Sequence, residues 1–273
     1  MKLCITGVGL WARGLSGWNE FLARSPNDFA GIDAAFSPPS PEAIPARERR
    51  RAPLSVRLAV EVAHQSCRMA GVDKALVASV FTSAMGDTDI TDYLCRELAG
   101  PTKMLSPTKF HNSVHNAPSG YWSISAGNRS PSSYAGDFHA TVPVALLEAA
   151  TLCTTEDRPV LLVAYDIANA PPFADICPIR ESFAVAFVLA RSAPRTGWRI
   201  DVAVVDGPAD WPQAHSPYLR ALAASNPAAY CLPLLEALAA ERPAELHWPL
   251  SRWCHLAMSL KPSDSVTRDA RQA

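Results

Sequence analysis

The sequence predicts an α/β fold, a doubly wound mixed sheet with helices on both faces. Three observations carry this. Apolar runs of strand length, rich in β-branched residues, occur at Leu3–Val8, Pro159–Ile167 and Ser182–Ala190, and the second is nearly all apolar, as a strand covered on both faces is. Leu54–Ala70 repeats its polar residues at helical spacing, with an apolar face between them. Finally, Ser132–Cys153 reads as a strand, a sharp turn and a buried helix. Strands alternating with helices imply the α/β class.

Taken in order, Leu3–Val8 is a buried strand that Gly7-Val8-Gly9 ends with permissive backbone. Ser16 caps a short helix over Gly17–Arg24, and the Pro- and Ala-rich residues 25–53 form a surface loop. In Leu54–Ala70 the polar positions are Arg57, Glu61, His64, Gln65 and Arg68, and Gly71 closes the helix. Ala75–Thr82 is a strand, followed by Gly86 and an acidic helix start at Asp87–Asp92. Residues 101–118 are irregular, and Ser119–Ala126 is a short helix. After the Ser132–Ala135 strand and its helix come Pro159–Ile167 and Ser182–Ala190. Weaker signals follow: a strand Trp198–Val205, a helix near Leu232–Ala240, and short strands near Glu245–Leu250 and Trp253–Leu260.

Bulk properties exclude several functions. Lys+Arg 25 against Asp+Glu 26 leaves a formal net charge of -1, with no electrostatic case for nucleic acid or an anionic membrane. The basic run Arg47, Arg49, Arg50 and Arg51, broken by Glu48, reads as a solvated surface before a helix. No stretch approaches the roughly 18 apolar residues of a membrane span, and the apolar N-terminal run is too short for a signal peptide. Seven cysteines, an odd number without a Cys-x-x-Cys pair, read as reduced thiols of a cytoplasmic protein.

His139 is the most informative residue. It stands in Asp137-Phe138-His139-Ala140-Thr141, on the turn before an Ala-rich helix. Helix N-termini on such elbows favour negative charge and carry nucleophiles in many enzymes. Here no Ser or Cys stands beside the histidine. Pro143, read just past the first turn, removes one of the first helical hydrogen bonds. Two readings of His139 stand side by side: a placeholder in an emptied nucleophile site, or an ordinary, partly buried histidine. In a third, His139 and Asp137 form a general base. His111 and His115, four apart, suit a metal only on a helix, and no carboxylate or cysteine completes a ligand set. Trp11, Trp18 and Trp122 read as core or interface aromatics. Gly7-Val8-Gly9 lacks the third glycine of a dinucleotide loop.

These residues resemble the N-terminal half of a β-ketoacyl synthase of the thiolase-like superfamily. Ile5-Thr6-Gly7-Val8-Gly9 is similar to that family's first strand and turn. Ser106-Pro107, Asn116, Ser119-Gly120 and Ile124 resemble its interface segment, and Ser130-Pro131 stands where the family has Gly-Pro. Counting forward, the nucleophilic cysteine falls on His139 and its small neighbours on Ala140 and Thr141. Val160–Asp166 and Pro178–Leu189 resemble the strands that follow. The family's two catalytic histidines lie in loops of a second half, whereas only His215, His247 and His255 lie beyond residue 190 here, outside such loops.

The resemblance implies a ketosynthase-like half over 1–192, a strongly shortened remnant of the duplicated second half over 193–262, and a polar tail over 263–273. It implies a non-catalytic partner, similar to the shortened chain-length-factor subunits of aryl-polyene biosynthesis. That partner forms a heterodimer with an active β-ketoacyl synthase and shapes its acyl tunnel, in aryl-polyene or fatty-acid-like polyketide synthesis. No cofactor belongs to this chain itself; the active subunit handles the phosphopantetheine thioester of the acyl carrier protein, whose docking would suit the basic run. Phe110, His111, Val114, His115 and Asn116 are the tunnel and interface candidates. An exposed apolar sheet edge would make the lone chain poorly soluble, and a homodimer through the same edge is an alternative. A stand-alone decarboxylase or hydrolase using His139 and Asp137 is the competing function.

Overall fold

In the computed structural model, residues 1–24, 35–192 and 197–262 are described. They build one eight-stranded sheet. The strands are β1 (Lys2–Trp11), β2 (Ala78–Thr82), β3 (Ser132–Ala135), β4 (Val160–Asp166), β5 (Phe183–Ala190), β6 (Trp198–Asp206), β7 (Ala244–Pro249) and β8 (Cys254–Pro262). Their order is β3-β2-β4-β5-β1-β6-β8-β7. Strands β3, β2 and β4 run parallel; the remaining neighbours pair antiparallel. The mixed sheet with helices on both faces is the predicted class. Residues 197–262 make no sheet of their own: β6 pairs with β1, and β8 and β7 extend the same sheet.

The helices are α1 (Trp18–Leu22), α2 (Ala46–Arg49), α3 (Leu54–Ala70), α4 (Thr88–Ala99), α5 (Pro107–His111), α6 (Ala117–Ala126), α7 (Thr141–Glu156), α8 (Phe173–Ile176), α9 (Pro217–Ser225) and α10 (Leu232–Ala239), with a 3-10 turn at Pro227–Cys231. Period-two alternation along the central strands divides the core. Leu162, Val185 and Val80 face α7, the 3-10 turn and α10. Leu161, Ala184 and Phe81 face α3 and α6. Helix α3 has the predicted bounds, and Gly71 at φ 64° closes it in the left-handed conformation.

Several expectations are corrected. β1 does not end at Gly7-Val8-Gly9 but runs on to Trp11. The glycines are there because α3 lies against the strand: a Cβ on Gly7 would sit 2.1 Å from the Ser66 carbonyl oxygen. Gln65 belongs to no solvated face. It is buried, accepts the Leu10 N–H (3.0 Å) and donates to the Ser16 carbonyl (3.1 Å), closing the strand-helix contact. Ser16 is not a cap; Gly17 holds that position in α1, and the Ser16 N–H and hydroxyl both donate to Glu20 Oε2 (2.7 Å each). α5 breaks the stretch 101–118 expected to be irregular, and α9 forms where the sequence reading named no element. Part of the predicted 25–53 loop, residues 25–34, and the predicted tail 263–273 lie outside the described residues.

Candidate functional site

The elbow forms as the sequence indicates. β3 has the predicted bounds, and residues 136–140 turn the chain into α7. Ala140 is the N-cap residue, and the Val144 N–H donates to its carbonyl (2.9 Å). Pro143 is therefore the third residue of α7, where an N–H has no helical acceptor, so its ring removes no hydrogen bond. The Ala140 N–H donates to Asp137 Oδ1 (3.3 Å), and the Thr141 hydroxyl donates to the Asp137 and Phe138 carbonyls. Asp137 thus stabilises the positive end of α7. Among the described residues no hydrogen bond joins its carboxylate to the His139 ring.

His139 itself is exposed, which departs from a partly buried histidine. Its ring meets Phe138 edge-on, with centroids 4.6 Å apart. It lines an open cleft of about 370 Å3 shared with Asp137, Trp211, Tyr230, Leu250 and Ser251. The cleft thus joins the elbow to the loops around β6, β7 and β8. Ala140 and Thr141 are buried beneath it.

The interface candidates divide between two places. His111, Val114 and Asn116 line a groove of about 580 Å3 with Ile44, Tyr121 and Ile124, and its rim carries Glu48 and Arg51. Two of its apolar side chains are exposed, Ile124 by 82% and Val114 by 52%; Phe110, 61% exposed, does not line it. His115 turns elsewhere, packing its ring on Tyr134 (5.1 Å) and closing over Gly86. α5 ends at His111, so His111 and His115 share no helical turn, and no metal cluster of three His, Cys, Asp or Glu is found among the described residues. Trp18 and Trp122 are core residues, whereas Trp11 is partly exposed and donates its indole N–H to the Ser37 carbonyl (2.9 Å).

Asp166 is the residue that sequence reasoning passed over. It ends β4 and is fully buried. Its carboxylate accepts from the Ser83 hydroxyl (2.7 Å), the Ala84 N–H (2.8 Å) and the Ala228 N–H (3.2 Å). Burial pushes its pKa up to about 6, against these hydrogen bonds, which pull it down. Asn226 donates to the Asp166 and Glu181 carbonyls beside it. One carboxylate therefore ties the ends of β2 and β4 to the 3-10 turn. An acidic residue inside an otherwise apolar, buried strand was the available signal. The buried thiols Cys67 and Cys153 are raised to about 12 and about 11 by burial, so neither offers a thiolate.

Comparison with known proteins accounts for this architecture. The family described as "Beta-ketoacyl synthase, N-terminal domain" matches residues 23–255. The chain belongs to that family. Solved structures agree on the thiolase-like ketosynthase fold. A chain of the ketosynthase (ApeO) in complex with its chain length factor (ApeC) from Xenorhabdus doucetiae superposes with a TM-score of 0.68 at 23% identity, covering 95% of this chain and 99% of that one. The ishigamide ketosynthase/chain length factor gives 0.68 at 14% identity over 96% and 99%. A β-ketoacyl synthase from Burkholderia phymatum STM815 gives 0.67 at 11% identity over 96% and 99%. No curated protein matches the chain. The elbow follows β3, at one edge of the parallel strands β3, β2 and β4. No helix among the described residues is long and apolar enough to cross a membrane.

Proposed function

We propose that this chain is the non-catalytic, chain-length-factor-like subunit of a ketosynthase pair. It heterodimerises with an active β-ketoacyl synthase and shapes that subunit's acyl tunnel, in aryl-polyene or fatty-acid-like polyketide synthesis. One observation carries the reading: the elbow position that the family resemblance gives to the nucleophile holds an exposed imidazole in place of a thiol, with no base hydrogen-bonded to it among the described residues. An acyl-imidazole is more reactive than a thioester, so a histidine here does not hold an acyl chain as a cysteine does. The active subunit then holds the phosphopantetheine thioester of the acyl carrier protein, and this chain needs no cofactor. Support also comes from the chain-length-factor complexes among its structural neighbours.

Two surfaces suit such a partner. β3 ends the sheet and pairs only with β2 among the described residues, leaving one side of its backbone for a strand of another chain. The edge is short and only half apolar, Ser132-Ser133-Tyr134-Ala135. Apolar area is supplied by the groove holding His111, Val114 and Ile124. A stand-alone decarboxylase or hydrolase built on His139 and Asp137 would need the pair joined, whereas among the described residues no hydrogen bond joins Asp137 to the His139 ring, and its Oδ1 takes the Ala140 N–H. The test is co-expression with a synthase encoded beside this chain. A stable 1:1 complex is expected, with activity that depends on both chains. A monomer that leaves the synthase equally active alone overturns the proposal.

A further inference from the structure

The cleft at the elbow has a composition that points to a ligand. Three rings gather there: His139, with Phe138 edge-on behind it, and the pair Trp211 and Tyr230, whose centroids lie 4.5 Å apart. Aromatic faces attract cations through the ring quadrupole. Asp137 adds an exposed carboxylate, of which Oδ1 takes the Ala140 N–H while Oδ2 has no partner among the described residues. Among the described residues no lysine or arginine lines the cleft, and Asp137 joins no ion pair. An anion would meet this carboxylate first. The helix N-terminus behind it, which would otherwise favour an anion, is already served by the same Asp137.

We propose that this cleft is a cation-binding site that receives an arginine side chain from a partner protein. A guanidinium is planar, stacks on Trp and Tyr faces, and bonds carboxylates in a forked geometry, so it satisfies both features of the site at once; a lysine ammonium satisfies the charge without the stacking. The cleft is open to solvent and draws its walls from the elbow, the loop before α9, the 3-10 turn and the loop between β7 and β8, so the side chain enters from outside the fold. This assignment does not depend on the elbow being non-catalytic.

The test uses the full chain labelled with 5-fluorotryptophan, which gives seven fluorine signals for its seven tryptophans. Trp211 is assigned by the signal lost in Trp211→Phe. Nα-acetyl-arginine amide is the probe and Nα-acetyl-norleucine amide its neutral counterpart. The Trp211 signal is expected to shift saturably with the arginine probe and not with norleucine. Asp137→Asn keeps an acceptor for the Ala140 N–H while removing the charge, so it should weaken binding about tenfold, as loss of a charge-assisted bond does. No shift, an equal shift with norleucine, or undiminished binding in Asp137→Asn with the other six signals unchanged would each overturn the proposal. Should Asp137→Asn disturb the other signals, the arginine-norleucine contrast in the unsubstituted chain decides alone.

Discussion

Gly9 and Val62 meet so closely that a Cβ on Gly9 would fall 2.1 Å from the Val62 carbonyl oxygen. The contact lets α3 lie directly on β1, at the centre of the sheet. Backbone cannot withdraw as a side-chain tip would, so the strand or the helix has to shift. Gly9→Ala is expected to destabilise the fold by about 3 kcal/mol or more, at the upper end of overpacking substitutions. Denaturant unfolding of both proteins checks this; a loss under about 1 kcal/mol would show that the contact is looser than described.

Asp166 gives stability an unusual pH dependence. Its carboxyl titrates at about 6 in the fold against an ordinary 3.8, chiefly because it is buried. Between those values the folded chain binds more protons than the unfolded one, so this group's contribution grows as pH falls through 6 and is lost as pH rises above it. From about pH 7 to about pH 5 the gain is about 1 kcal/mol. Asp166→Asn lacks this titration. The unfolding free energy of wild type minus variant should rise over that span, and a flat or falling difference contradicts the assignment.

Ile124 projects from α6 with 82% of its surface exposed and lines the groove with Val114 and His111. Ile124→Asp should leave stability within about 0.5 kcal/mol, as surface substitutions do, while weakening the complex with the synthase about tenfold or more, as loss of a buried interface anchor does. Paired thermal melts and titration calorimetry separate the two effects. Unchanged affinity would remove this groove from the interface.

His139→Ala separates a scaffold from a catalyst. Removing a general base slows a reaction by about 10²–10⁴-fold, whereas a shaping subunit should keep supporting its partner, with product length the only quantity free to change. Steady-state turnover of the reconstituted pair decides between them.

The parts of this fold legible in the sequence are those fixed by local pattern. Helix α3 announces itself by an apolar face and a closing glycine, and the elbow by a short strand before an Ala-rich helix. What escaped depends on distant neighbours. Gly7 and Gly9 read as a strand end because glycine is permissive alone; only the presence of α3 makes them strand residues. Gln65 sits at a position spaced like a solvated one, and its burial follows from the unpaired Leu10 N–H and Ser16 carbonyl it serves. α9 carries three alanines and a serine with a proline start, a weak periodic signal stabilised by packing of Leu219 and Leu222. At the site, His139 was found by its frame, but its companions Trp211, Tyr230 and Ser251 come from segments over 70 residues away in sequence, and no local pattern joins them.

The central claim is that this chain lends shape to a neighbour and forms no acyl bond itself. Intact-mass spectrometry of the reconstituted pair, after incubation with an acyl-loaded carrier protein, tests it most directly. The account predicts an acyl mass increase on the synthase subunit and an unmodified mass for this chain. An acyl adduct on this chain, mapped to His139 or to any other of its residues, would contradict it.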